Sequence, residues 1–126
     1  MSDGSAGEAH PAGSLATLAP GEIRIVPLGV DAHGLPREAL VLRDESGALK
    51  AWVNLCQHIP IPLDSGSREF WDREKRHLVC LTHGATYRPA DGVCTAGPCE
   101  GERLQPVPFR VEGDAILLFE PPDDDD

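Results

Sequence analysis

Two short ligand pairs constrain this chain more than any other feature. Cys56-Gln57-His58 is a C-x-H pair and Cys80-Leu81-Thr82-His83 a C-x-x-H pair, with residues 59–79 between them. Two thiolates and two imidazoles make a complete set of four metal ligands, and thiolates suit iron–sulfur clusters and zinc alike. Paired zinc ligands are usually separated by roughly two to four residues, because both must reach one ion. The single residue between Cys56 and His58 strains that geometry. It suits a binuclear cluster better, because the Cys and the His of one loop can then bind different irons. A fold that serves such a set needs two loops that converge, each steadied by a neighbouring strand.

The rest of the pattern supplies those strands. Short apolar runs lie at Glu22–Leu28 and Glu38–Arg43, and Asp44-Glu45-Ser46-Gly47 reads as a turn. From Leu49 to Leu55 the residues Leu49, Ala51, Val53 and Leu55 alternate with Lys50, Trp52 and Asn54, which predicts a half-buried strand and, with the preceding run, a hairpin. Residues 56–68 carry Pro60 and Pro62 and are unsuited to a helix. Phe70-Trp71, a turn at Asp72–Lys75, and His77–Leu81 predict a second hairpin. Asp91-Gly92 is another turn. Val107, Phe109 and Val111 alternate, Glu112-Gly113-Asp114 turns the chain, and Ala115–Phe119 is the last strand. No amphipathic helix of three or more turns and no internal repeat is visible. The expected fold is all-β, a small antiparallel domain with a loop-rich insertion in its middle.

One domain suits the 126 residues. Residues 1–18 are read as a disordered segment and 121–126, Pro-Pro-Asp-Asp-Asp-Asp, as an acidic disordered tail, because both are poor in residues that bury surface. The folded domain is then 19–120. The formal net charge of −10, from 21 acidic and 11 basic side chains, carries no basic footprint for nucleic acid and disfavours anionic membranes. No apolar stretch approaches a membrane span, and no Lys or Arg precedes Arg24, so no signal peptide is expected. The expected location is the cytoplasm, where four cysteines point to metal or redox chemistry before a disulfide scaffold.

With these ligands the sequence resembles the Rieske iron–sulfur proteins, whose pattern is C-x-H, a gap and C-x-x-H. Gly84 follows the second His, as in that family. Tyr87 stands where many members have an aromatic, and Gly97-Pro98 is similar to the family's proline-containing third loop over the cluster. The resemblance covers about Trp52 to Leu104, and implies a Rieske-like antiparallel β-sandwich in which about 52–104 is the loop-rich cluster-binding subdomain, inserted between basal strands. It implies one [2Fe–2S] cluster, with Cys56 and Cys80 on one iron and His58 and His83 on the other. Two neutral imidazoles in place of two thiolates raise the potential. The resemblance also implies an exposed histidine tip through which electrons pass, and a potential that falls at alkaline pH. The gap is a few residues longer than is commonest, with the extra length at Leu63–Lys75.

The departures from the family tune this expectation. High-potential respiratory members carry a disulfide between the loops, where this chain has Ile61 and Thr82. They also carry a serine donor to a bridging sulfide, where this chain has Ala85. Fewer donors leave the reduced state less stabilised, so the expected potential lies below the respiratory type. Tyr87 is expected to keep one donor, to a ligand sulfur. Cys94 and Cys99 flank Thr95–Pro98 and are read as thiols, with a redox-sensitive disulfide as the alternative. His77, three residues before Cys80, is a conceivable ligand with a poorer local pattern than His83, and His10 and His33 carry no signal. Trp52 and Trp71 are read as packing residues.

The resemblance implies an electron carrier more than a stand-alone enzyme. The expected function is that of a Rieske-type ferredoxin taking electrons from a flavin-dependent reductase to a terminal oxygenase or another acceptor. No second metal site of the 2-His-1-carboxylate type is evident beside the four ligands. The alternatives are a small subunit of a larger oxidoreductase, such as a nitrite or arsenite enzyme, and a zinc-stabilised binding module.

Overall fold

A computed structural model describes residues 9–30, 34, 36–55, 70–71, 77–80, 84–97 and 100–121. Among them there is no helix, and nine strands form three antiparallel three-stranded sheets. The strands are β1 (His10–Ser14), β2 (Arg24–Val30), β3 (Pro36–Arg43), β4 (Leu49–Val53), β5 (Leu78–Val79), β6 (Thr86–Tyr87), β7 (Cys94–Ala96), β8 (Phe109–Glu112) and β9 (Ala115–Leu118). The sheet orders are β1-β9-β8, β2-β3-β4 and β5-β6-β7.

The expected hairpin of β3 and β4 forms, with Arg43 opposite Leu49 and Ala39 opposite Val53. Its turn is made by Asp44, whose Oδ1 accepts from the main-chain N–H of Ser46 and Ala48, a turn in which an Asx side chain substitutes for backbone. The Ser46 hydroxyl donates to the same oxygen at 2.7 Å, and this bond first, then the two main-chain bonds, holds the Asp44 carboxyl below its usual pKa.

The sheet β2-β3-β4 is buried on both faces, which differs from the half-buried strand expected at Leu49–Leu55. Ala39, Val41, Ala51 and Val53 enter one core with Ala12, Leu18, Leu28, Val107, Ile116 and Leu118. Leu40, Leu42 and Trp52 enter a second core with Phe70, Leu78, Cys80, Ala85, Tyr87, Cys94 and Leu104. The first core closes a sandwich against β1-β9-β8. The second seats the inserted sheet β5-β6-β7 on the opposite face. Sequence alternation under-reads such a strand, because apolar residues are needed on both sides. The run Ala39-Leu40-Val41-Leu42, buried throughout, has that two-sided character.

Trp52 ties the central sheet to the inserted one. Its ring is buried in the second core, and its Nε1 donates to Pro89 O at 3.0 Å. Packing is therefore its role. Trp52→Ala opens a cavity and orphans a buried carbonyl, a change that costs about 3–5 kcal/mol. Tm should fall by at least about 10 °C, measured by calorimetry, and a shift of only one or two degrees would contradict this packing. Trp71 packs more shallowly against the same core and donates from Nε1 to Gly21 O at 2.9 Å.

The expected disorder of residues 1–18 is corrected from His10 onward. β1 pairs with β9, His10 opposite Leu118, and Leu18 is buried. The segment has little apolar content of its own, so two arginines of the central sheet do much of the holding. Arg24 donates to the carbonyls of Ala12 and Ser14 and to Thr17 Oγ1. Arg43 donates to the carbonyls of Leu18, Leu15 and Gly47. Backbone groups of a weakly hydrophobic strand are thus satisfied by side chains from far along the chain. At the other end Pro121 is described and buried, and Arg37 approaches both Glu120 and the Pro121 carbonyl.

Candidate metal centre

Cys80 follows β5 directly and is fully buried in the second core. Its N–H donates to Ala85 O at 2.8 Å, and its carbonyl accepts from Gly84 N–H at 2.7 Å. With Val79 opposite Thr86, these bonds make Cys80–Ala85 the closed end of the β5–β6 hairpin. Gly84 sits there with φ +75°, a left-handed conformation that glycine adopts without a Cβ penalty. Two main-chain bonds thus tie Cys80 to Gly84 and Ala85 across the hairpin end.

The segment after β7 lies against this hairpin. A Cβ added at Gly97 would stand 2.7 Å from Ala85 Cα and 3.0 Å from Ala85 Cβ, so the two backbones touch with no room for a side chain. The segment then turns back. Glu100 N–H donates to Gly97 O, Gly101 N–H to Cys94 O, and Cys94 N–H to Glu102 O. Tyr87, expected beside the ligands, is fully buried on the middle strand of the inserted sheet, opposite Leu78 and Cys94. Cys94 is also buried, and its Sγ donates to Ala96 O at 3.2 Å. Thr86 and Thr95 share a hydroxyl hydrogen bond of 2.9 Å across the same pair of strands.

The chain leading to Cys56 leaves from a base that is also hydrogen-bonded. Val53 N–H donates to Gln105 O, Asn54 N–H to Glu38 O, and Leu55 N–H to Val53 O. Asn54 Nδ2 also donates to Glu38 Oε1 at 3.2 Å. The chain is thus anchored up to the residue before Cys56. It is anchored again at Phe70, which is buried and accepts from Val79 N–H. The structure therefore places Cys80, Gly84 and Gly97 together at one end of the inserted sheet, with Tyr87 one register step further along, opposite Leu78 and in the same core as Cys80. Cys56, His58, His83 and Pro98 lie outside the described residues, as do Ile61, Thr82, Cys99 and the turn Asp72–Lys75. Among the described residues no group of three or more His, Cys, Asp or Glu could hold a metal.

Cys80 nevertheless fits the role of a cluster thiolate. It sits at a loop base with its main chain bonded, in an apolar core with Ala85 and Tyr87, where a metal–thiolate bond is shielded from water. His77 stands at the other end of β5, three residues before Cys80, and borders a cavity of about 430 Å³ with Asp44, Glu45, Ser46, Arg88, Pro89 and Ala90. Sequence reasoning did not find the contact of Gly97 with Ala85. The only signal was the isolated Gly-Pro step.

The turn after β6 carries a titratable clamp. Asp91 accepts from Arg88 Nε and Nη2, at 3.1 and 2.8 Å, and from Val93 N–H at 3.1 Å. The Arg88 hydrogen bond first, and then that of Val93, hold its carboxyl below the usual pKa. A carboxylate lowered by folding stabilises above its unfolded pKa, and that contribution is lost as pH falls through the folded value. Asp91→Asn should therefore lower Tm slightly at neutral pH, since the pair is exposed. The gap to the unsubstituted protein should close in acid, and thermal melts giving a constant gap across the acid range would contradict the clamp.

The comparisons with known proteins agree with this geometry. The model of the Rieske [2Fe-2S] domain family matches residues 11–113. Oxidoreductase NdmD of Pseudomonas putida is 34% identical over 77 residues, which are 61% of this chain and 12% of that protein. The ferredoxin of carbazole 1,9a-dioxygenase from Nocardioides aromaticivorans IC177 superposes with a TM-score of 0.59 at 28% identity, over 90% of this chain and 98% of that one. A chain in the reduced complex between oxygenase and ferredoxin of carbazole 1,9a-dioxygenase gives a TM-score of 0.66 at 22% identity, over 93% of this chain and 29% of its own. This chain thus spans only a small part of NdmD and under a third of that carbazole dioxygenase chain.

Proposed function

This chain belongs to the Rieske [2Fe–2S] domain family, and from that premise we propose that it is a ferredoxin. It would take single electrons from a flavin-dependent reductase and deliver them to a terminal oxygenase or a similar oxidoreductase. Its cofactor is one [2Fe–2S] cluster, which when bound supplies reversible one-electron chemistry. The observation that carries the ferredoxin reading is the near full-length match, 90% of this chain and 98% of its counterpart, to the Nocardioides ferredoxin. The matches to NdmD and to the carbazole oxygenase–ferredoxin complex favour redox proteins as partners, without naming which. The small-subunit alternative uses the same site and differs only in permanent association.

The proposed ligands are Cys56 and Cys80 on one iron and His58 and His83 on the other. Cys80 is held by the hydrogen bonds that close its hairpin, so its main chain is fixed at a buried position. Gly97 brings the third loop onto that hairpin and helps exclude water from its buried end. At Ala85 only a methyl group faces this environment, and no hydroxyl is available there to donate to a sulfide. No helix among the described residues is long and apolar enough to cross a membrane. We place the protein in the cytoplasm as part of the same proposal.

A redox titration followed by electron paramagnetic resonance tests this reading. The purified protein should be red-brown, silent when oxidised, and should give a Rieske-type signal on taking up one electron per chain. Its midpoint should fall in the lower part of the roughly −150 to +300 mV range of Rieske centres. A colourless zinc protein would overturn the function. A midpoint at the upper end would overturn the account of Ile61, Thr82 and Ala85.

A further inference from the structure

Among the described residues, the large apolar side chains left exposed are Val30, Phe109 and Val111. The last two share one strand. Phe109 lies opposite Leu118 and Val111 opposite Ile116, and directly opposed residues of an antiparallel pair point to the same face. Leu118 and Ile116 are fully buried in the first core, whereas Phe109 is 41% and Val111 36% exposed. The apolar face of the sheet therefore continues past the sandwich onto β8, where the described residues leave it partly open to solvent.

β8 is also an edge. The sheet order is β1-β9-β8, so among the described residues β8 pairs on one side only. Phe119 N–H donates to Pro108 O at 2.9 Å. By the alternation of a strand, Pro108, Arg110 and Glu112 then turn their main-chain groups toward β9, while Phe109 and Val111 turn theirs outward. An edge with outward donors and acceptors and an apolar inner face is a template for another strand.

The charges select the occupant. β8 reads Phe-Arg-Val-Glu, and Arg110 and Glu112 lie on its outer face, joined within the strand at 2.7 Å. When two copies of such a strand pair antiparallel about a two-fold axis, only registers that oppose outward-facing residues can form main-chain bonds. An axis at Arg110 sets arginine against arginine, and an axis at Glu112 sets glutamate against glutamate. An axis at Val111 sets Val111 against its own copy through paired N–H and C=O groups, and Arg110 against the partner's Glu112 twice. We propose that β8 is a self-association edge, through which two copies of this chain form a continuous six-stranded sheet centred on Val111. Its isologous form is that of a two-fold dimer interface. The join covers Phe109 and Val111 and lies on the far side of the central sheet from Cys80. With four residues on each side and a net charge of −10 per chain, the association belongs to the weak, concentration-dependent class.

Sedimentation velocity on the cluster-loaded protein tests this, over concentrations up to roughly 1 mM, the weak end of the affinity scale. A reversible dimer is expected. Glu112→Arg should weaken it at least about tenfold by opposing like charges at two symmetric positions. Mixing Glu112→Arg with Arg110→Glu should restore association between the two variants, because every cross-strand pair is again of opposite sign. Val111→Pro removes an outward N–H and leaves the β9 bonds intact, so it should abolish the dimer while the cluster absorbance is retained. That last arm decides the matter if Arg110→Glu, which also loses the Phe119 ring beneath it, fails to fold. A chain that stays monomeric throughout overturns the proposal and leaves the edge to a strand of another protein. A dimer unaffected by Glu112→Arg or Val111→Pro, or folded variants that fail to associate on mixing, also overturns it.

Discussion

His58→Ala should abolish the native reduced-state resonance and the visible absorbance of the oxidised protein, while His77→Ala should leave both unchanged. The two histidines are of the same type and both lie close to Cys80 in sequence or by motif, so the contrast isolates the ligand assignment. His58 shares its loop with Cys56, and one imidazole removed from a four-ligand set leaves an iron with an open position. His77 precedes β5, at the end of the strand remote from the Cys80 hairpin. Three residues of extended chain put it about 10 Å from Cys80 and, by the alternation of the strand, on the face opposite Leu78 and Cys80, which both enter the core. Cys80→Ala should also lose the cluster. Its replacement occupies an apolar core that accepts a methyl group, so a folded, colourless apoprotein is the expected product. Circular dichroism and iron analysis read the two properties separately. A native signal surviving in His58→Ala would remove that residue from the site, and loss of the signal in His77→Ala would bring His77 into it.

Gly97→Ala should be the most damaging single-methyl change outside the ligands. Gly97 has φ +106°, a backbone conformation that L side chains rarely adopt. The added Cβ would also meet Ala85 Cα at 2.7 Å and Ala85 N at 3.2 Å, backbone atoms that no rotamer change can move. Left-handed strain costs about 1–2 kcal/mol and overpacking about 1–3 kcal/mol. Tm should fall by at least about 10 °C, and a chelator should remove iron faster, because the displaced segment lies on the hairpin that begins at Cys80. Adding Ala85→Gly removes only the Cβ share of the clash, at 3.0 Å, so the double variant should recover part of the loss and not all of it. Full recovery would make the contact a matter of side chains alone. An unchanged Tm would show that the segments do not press together.

Local chemistry was legible along the chain. Asp44–Gly47, Asp91-Gly92 and Gly113-Asp114 announce turns through residue types whose backbone preferences are intrinsic, and each turn is found. The pairing of Glu38–Arg43 with Leu49–Leu55 followed from a turn of fixed length. The ligand pairs were legible because metal chemistry requires particular side chains at short spacing, and the family match over residues 11–113 covers both. Cys80 and Tyr87 are buried in one core and Gly84 closes the hairpin beside Cys80, an arrangement compatible with that pattern.

What the sequence by itself determined, then, was the all-β class, the positions of the turns and the kind of chemistry the loops can hold. These depend on neighbours a few residues apart. Only the tertiary structure decided which faces are covered, because coverage depends on segments distant in sequence. β4 alternates as if half-buried, yet it is buried on both sides because two separate sheets pack against it. His10–Leu18 looks too polar to fold, yet Arg24 and Arg43 satisfy its carbonyls. Val107, Phe109 and Val111 alternate as one apolar face, but only Val107 is buried. β8 runs past the edge of the sandwich, and the residues that a sequence pattern assigns to the core are left there for something else to cover.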